Sequence, residues 1–309
     1  MPTSSNDLSG SSLLAVFAHP DDESLACGGL LARCTAGGVR VSLLCLTHGE
    51  HGPEGSSRDA DHDGGHTPAP ESVQSPGLEG KHGPGLEGGH RPGHAGELLH
   101  DIRARELSEA AQVLGIRDVV LLDHEDGMLP WIDKASLEAD ILRRILRLQP
   151  DVVVTFDEDG LYWHPDHIAV HERTTAAVAE LGAAGPALRY VSMPAGAMRA
   201  IVDAASNNPE CGDETPRPIL GVADADAFGS LAPAPTLIIE AGEFAGQKLA
   251  ALRCHHTQFD GSALECLSER DAARFLGTEH YRRAPLGSPD DVFIESFGSP
   301  ASAGGGTCT

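Results

Sequence analysis

The chain of 309 residues predicts an α/β fold, a layered sandwich built around a mostly parallel sheet, and three observations carry that expectation. Four runs are continuously apolar and rich in β-branched residues, the pattern of strands buried on both faces. Helical periodicities lie between them. Glycine or proline closes two of those helical stretches, so strand and helix alternate along the chain.

The first run, LLAVFA (13–18), leads through HPDDE into a helical stretch over 24–36 that ends at Gly37 and Gly38. The second is VRVSLLCLT (39–47). A helix follows where Leu107, Ala110, Ala111 and Leu114 recur at i, i+3, i+4 and i+7. DVVLLD (118–123) is the third strand, and Leu137, Ile141, Ile145 and Leu148 mark a helix that stops at Pro150 before the fourth, DVVVTF (151–156). Such alternation implies right-handed crossovers, and the length suits one domain over 13–298. Residues 51–96 are rich in Gly, Pro and His and contain the tandem repeat PGLEGKHG, PGLEGGHR (76–91). With so few apolar side chains they cannot offset their ordering entropy, and a disordered insertion is expected. A second excursion over 203–234 is expected to be partly ordered, with flexible ends at 1–12 and 299–309.

Asp and Glu number 46 against 22 Lys and Arg, a formal charge of -24. Such a surface repels phosphate backbones and anionic lipid, which argues against nucleic acid and membrane partners. No run is long enough to span a bilayer, and the N-terminus has no signal-peptide pattern. Cys27, Cys34, Cys45, Cys211, Cys254, Cys266 and Cys308 are scattered without CxxC spacing, and several sit in apolar runs. Reduced thiols in a cytoplasmic protein are the expectation.

Two clusters repeat one pattern: AHPDDE follows the first strand and HPDH follows the fourth. In open α/β sheets ligands gather at the carboxyl ends of strands, so loops distant in sequence can converge there. His19 and Asp22 on one loop and a histidine from the other make a three-ligand set for Zn²⁺ with a position left for water. Asp21, beside a ligand but free of the ion, is placed to take a proton. Fe²⁺ also suits two histidines and a carboxylate.

This arrangement resembles the LmbE-like (PIG-L) family of metal-dependent N-deacetylases. AHPDDE matches its first motif, HPDH its second, IRARELSEAAQVLGI (102–116) its Arg-x-x-Glu-Leu helix, and KLAALRCHHTQ (248–258) its late Lys-to-Gln segment. The resemblance covers about 13–200 and 236–295 and implies a Rossmann-like three-layer sandwich. It implies His19, Asp22 and His167 as metal ligands and Asp21 as general base. It further implies His164 as the protonated group that stabilises the oxyanion, Asp166 as the group holding its ring, and Tyr162 as a carbonyl-polarising residue. Arg103 and Asp126 match sugar-contacting positions. The implied substrate is a small N-acetylated amino-sugar conjugate such as one bearing N-acetylglucosamine.

Plainer readings exist for single residues. Asp21 or Asp22 could be a helix cap; Arg103 could pair with Glu106 on a solvated helix face; Tyr162 could be a packed loop aromatic. Glu23, His255 and His256 read as structural, His171 as a helix-surface residue, and the histidines of 51–96 as incidental metal binders. Two other functions stay open: an amidase acting on a thiol conjugate or antibiotic precursor, and a metal-binding protein without turnover. A homo-oligomer is compatible with either.

Overall fold

A computed structural model of the chain describes residues 8–52, 98–211, 217–288 and 292–300. Apart from His51 and Gly52, the insertion expected over 51–96 lies outside the described residues. In chain order, β1 (Ser12–Phe17) leads to α1 (Asp22–Ala36), β2 (Arg40–Thr47) to α2 (Leu99–Val113), and β3 (Asp118–His124) to α3 (Lys134–Leu148). Next come β4 (Val152–Phe156), the single turn α4 (Gly160–Trp163), α5 (Pro165–Leu181), β5 (Ala187–Ser192) and α6 (Ala197–Ser206). The chain closes with β6 (Leu237–Glu240), α7 (Ala245–Cys254), α8 (His256–Phe259), α9 (Glu269–Leu276), β7 (Thr278–Gly287) and β8 (Gly298–Pro300).

One eight-stranded sheet has the order β3-β2-β1-β4-β5-β7-β6-β8. Its first five strands are parallel, and β7, β6 and β8 extend it antiparallel. Side chains on both faces of β1 are buried, from Leu13 to Phe17, as a sheet covered by helices requires. On the helical layers, α1, α2, α7 and α9 pack together, while α3 packs on α5. The α3 boundaries follow from local chemistry: the Asp133 side chain accepts from Ser136 N at 2.9 Å, and Gln149 turns left-handed (φ 45°) ahead of Pro150.

α1 is not one straight helix. At Cys27 the backbone leaves helical angles (φ −145°, ψ 21°), which frees the N–H groups of Gly29 and Leu30 to donate to Glu279 at 2.9 and 2.8 Å. Glu279 also takes Lys248 Nζ and the Tyr281 hydroxyl, each at 2.7 Å. A Cβ on Gly29 would stand 2.7 Å from Ala241 Cβ, so only glycine lets the kinked helix lie this close.

Three expectations are corrected. Residues 8–12 are tied down, not flexible: Leu8 N donates to Gly37 O at 3.1 Å and Ser12 N to Asp151 Oδ2 at 2.7 Å. At the other end Ser299 pairs with Ile238 in β8, so order runs past the expected boundary at 298. Cys211 and Cys266 are joined in a disulfide, contrary to the expectation of reduced thiols. No helix among the described residues is long and apolar enough to cross a membrane.

Candidate active site

The sheet order reverses between β1 and β4, which pair as Leu13↔Val152, Leu14↔Val153 and Ala15↔Val154. The loops that follow these two strands therefore emerge side by side, at the place where ligands bind in open α/β sheets. Backbone strain concentrates here. Of the five non-glycine residues with positive φ among the described residues, Asp21 (114°) and Leu220 (45°) line the cleft, and Leu161 (65°) and Trp163 (68°) flank Tyr162. Each such conformation costs about 1–3 kcal/mol and persists where the surroundings enforce it.

His19, Asp22 and His167 meet. His19 Nδ1 is 3.1 Å from His167 Nε2 and 3.4 Å from Asp22 Oδ2, and His167 Nε2 is 3.2 Å from Asp22 Oδ1. Asp22 is pinned by the backbone N–H of His19, which donates to Oδ2 at 2.8 Å. His167 lies flat on Phe156, with ring centroids 4.0 Å apart, and its Nδ1 faces the Gly160 carbonyl at 3.0 Å. Gly160 (φ 53°) can turn that carbonyl inward because it has no Cβ, which would stand 2.9 Å from His167 Cβ.

These contacts fix the His167 tautomer. Its proton sits on Nδ1, donated to a carbonyl, so Nε2 presents a lone pair to a carboxylate oxygen and to a second imidazole. Two acceptors facing each other repel unless a cation lies between them. Donor atoms around a tetrahedral ion with bonds of about 2.0–2.1 Å stand about 3.3–3.4 Å apart, close to the separations found here. The donor set fits a divalent cation. Negative charge gathers around His19: burial works to deprotonate the ring, yet hydrogen bonds to Asp126, Asp166 and Asp22 raise its pKa well above the ordinary imidazole value. Burial raises Asp22, but His167 and His19 outweigh it and hold the carboxyl down to about 2. Burial pushes His167 down to about 3 against the pull of Asp22. His164 brings a third imidazole, its ring centroid 4.8 Å from that of His19 and 4.7 Å from that of His167, so it too borders the place where an ion would sit.

Two aspartates make contacts to His19 beyond those the resemblance implied. Asp126, expected at the sugar, has Oδ1 3.0 Å from His19 Nε2, and its Oδ2 accepts from His51 N at 2.9 Å. Asp166, expected to hold the His164 ring, instead directs its carboxylate to His19 Nε2 at 3.2 Å and accepts from Gly127 N (2.8 Å) and Leu129 N (3.2 Å). Two carboxylates thus orient the His19 imidazole, an arrangement suited to supporting a metal-bound imidazole. The backbone N–H of Asp166, not its side chain, reaches His164: it donates to Nδ1 at 3.2 Å, so the imidazole caps α5. Burial, then His19, lowers the His164 pKa. With Nδ1 accepting from the Asp166 N–H, Nε2 is the nitrogen left to donate into the cleft.

Asp21 occupies the N-cap position of α1, but its side chain makes no capping bond, so the carboxylate is left for the cleft. Burial raises it to about 7, with Arg103 pulling it down and Asp22 adding to the rise. Arg103 is buried, and its guanidinium meets Asp21 Oδ2 (3.3 Å), the Pro20 carbonyl (2.7 Å) and the Gly49 carbonyl. Its side chain makes these contacts instead of reaching Glu106, which accepts from Thr257 N and Oγ1 at 2.9 and 2.6 Å. Glu23 holds the Asp21 backbone N–H at 3.1 Å and His255 Nε2 at 2.9 Å, the structural part expected of both. His171 leaves the site, its Nδ1 3.0 Å or less from the Phe156 carbonyl (2.9 Å).

The cleft holds about 200 Å³ and is lined by His19, Asp21, Asp22, Arg103, Asp126, Tyr162 and His164. Its opposite wall is built by Ile219, Leu220 and Phe228 from the 203–234 excursion and by Gln258 from α8, side chains that sequence reasoning did not single out. Tyr162 packs on Phe228 with centroids 4.8 Å apart, and burial raises its hydroxyl pKa well above the ordinary value.

Residues 14–178 match the family described as "PIG-L: GlcNAc-PI de-N-acetylase". The chain belongs to the PIG-L family. Among PIG-L relatives, the 1D-myo-inositol 2-acetamido-2-deoxy-alpha-D-glucopyranoside deacetylase of Acidothermus cellulolyticus is 31% identical over 290 residues, covering 87% of each chain. Deacetylase 1 of the same description from Saccharopolyspora erythraea is 32% identical over 304 residues, covering 87% of this chain and 88% of the relative. In fold, this PIG-L chain resembles the N,N'-diacetylchitobiose deacetylase of Pyrococcus horikoshii, with a TM-score of 0.56 at 18% identity, over 89% of this chain and 84% of that one.

Proposed function

We propose that the protein is a zinc-dependent hydrolase that removes the N-acetyl group from an amino-sugar conjugate, with an inositol-linked acetamido-glucopyranoside as the first candidate substrate. The observation that carries this reading is the meeting of His19 Nδ1, Asp22 and His167 Nε2 within 3.1–3.4 Å in the cleft that Asp21 also lines. Zinc held by those three groups supplies Lewis-acid polarisation of a carbonyl and lowers the pKa of a water.

The remaining work falls to the side chains. Asp21, poised near neutrality, takes a proton from the attacking water as its oxygen bonds to the acetyl carbon. His164 donates from Nε2 to the carbonyl oxygen as that oxygen gains charge, and Tyr162, protonated by virtue of its raised pKa, is a second donor on the same cleft. The C–N bond then breaks, Asp21 returns its proton to the departing nitrogen, and acetate and an amine leave. Arg103 positions the Asp21 carboxylate. Ile219 and Phe228 give the apolar face of a pyranose ring a wall to lie against.

The test is release of acetate and free amine from the inositol-linked substrate by zinc-loaded protein. Asp21→Asn is expected to keep the zinc content of the native protein while turnover drops by about 10²–10⁴-fold, the usual share of a general base. A native rate in that variant contradicts the role of Asp21. Zinc-loaded native protein that leaves N-acetyl sugars intact but cleaves another amide shifts the reading to an amidase.

A further inference from the structure

We propose that His48, His100 and Asp123 form a second divalent-cation site, suited to Zn²⁺, separate from the His19 set and sharing no ligand with it. Three elements supply it: His48 follows β2, Asp123 lies near the end of β3, and His100 is in the first turn of α2. The two imidazoles stack with centroids 3.4 Å apart and planes 16° from parallel. Asp123 Oδ1 is 3.0 Å from His48 Nε2 and 3.9 Å from His100 Nε2, so one carboxylate oxygen faces the same edge of both rings.

The tautomer of His100 decides what that edge offers. Its Nδ1 is 3.1 Å from Asp101 Oδ1 and donates there, which leaves Nε2 as a lone pair aimed toward Asp123. A ligand imidazole whose other nitrogen donates to a carboxylate is the usual arrangement around zinc. His48 is buried, and Nε2 is the ring nitrogen that faces Asp123. A simple ion pair accounts for the geometry less well. An exposed His–Asp pair is worth about 0–1 kcal/mol and calls for one imidazole, whereas protonating both stacked rings sets two positive charges face to face. A cation on the shared edge lies near both nitrogens and the carboxylate, whose ligand atoms are within 4.8 Å of one another, and a small splaying of the two rings turns their lone pairs toward it. The Asp123 side chain is 89% exposed, so the remaining positions of such an ion open to water.

The location gives the ion a task. His100 precedes Arg103 by one turn on α2, and Asp123 precedes Asp126 by three residues. An ion tying β2, β3 and α2 together there fixes the elements that carry Arg103 and Asp126 into the cleft. Its part is positional.

The experiment reads metal content and does not depend on any activity. Full-length native protein, Asp123→Asn, His100→Gln and His19→Ala are stripped with chelator, reloaded with Zn²⁺, dialysed together and assayed for zinc per chain, with thermal melts to confirm folding. Native protein is expected to retain one equivalent more than Asp123→Asn and one more than His100→Gln. His19→Ala combined with Asp123→Asn is expected to lose one further equivalent. Zinc held by the histidines of 51–96 is common to all variants and cancels. Since Asp123 is exposed, its substitution leaves the fold intact. Equal zinc in native protein, Asp123→Asn and His100→Gln overturns the proposal.

Discussion

At the scale of single residues, the telling feature is that His19 has three carboxylates around it: Asp22 beside Nδ1, and Asp126 and Asp166 on Nε2. Removing a group that orients a metal-bound imidazole typically lowers metal affinity 10–100-fold, so Asp126→Asn and Asp166→Asn should each raise the zinc dissociation constant by about that factor. Competition with a chromogenic chelator measures it. A substrate-only role for Asp126 instead leaves zinc affinity unchanged and raises KM alone. The convergence of His19, Asp22 and His167 was legible in sequence because HPDD and HPDH each sit in one short loop at a strand end. Asp166 was misread because chain adjacency suggested His164 as its partner. Its position at the start of α5 points the carboxylate across the switch point to His19, 147 residues away in sequence, and no local pattern announces that.

At the scale of elements, α1 carries Asp22 on a short first segment set off by the kink at Cys27, and the buried Lys248–Glu279 pair stands behind the kink. Breaking a buried pair by removing one partner costs about 3–5 kcal/mol, so Lys248→Met should lower the unfolding free energy by that amount in denaturant titration, with zinc affinity reduced in parallel. Lys248→Met with Glu279→Gln should recover part of the loss, since no buried charge is then left unpaired. Strands β1 to β4 were readable because their residues are apolar on both faces. β5 and β7 were not: Arg189 in β5 is buried against Glu295, and Arg282 in β7 reaches Asp157 at 2.8 Å. Charges neutralised by distant partners break the apolar pattern on which strand reading depends.

At the scale of the whole molecule, the 3-2-1-4-5 order brings the first and fourth strands together, and the antiparallel extension and the 203–234 excursion then close the cleft. The disulfide Cys211–Cys266 ties that excursion to the segment before α9 across 55 residues. Closing a loop of that length stabilises by about 4 kcal/mol in the chain-entropy account, so reduction should lower the melting temperature. Thiol labelling of denatured protein should find two more reactive cysteines after reduction than before. Strand alternation made the layered fold legible, but the cleft wall comes from a Gly- and Pro-containing excursion whose path depends on this crosslink. The central claim is that loops after β1 and β4 share one cation. Anomalous diffraction from crystals of zinc-loaded protein tests it directly: the account predicts a peak within bonding distance of His19 Nδ1, Asp22 and His167 Nε2, and active protein whose zinc lies away from those three atoms contradicts it.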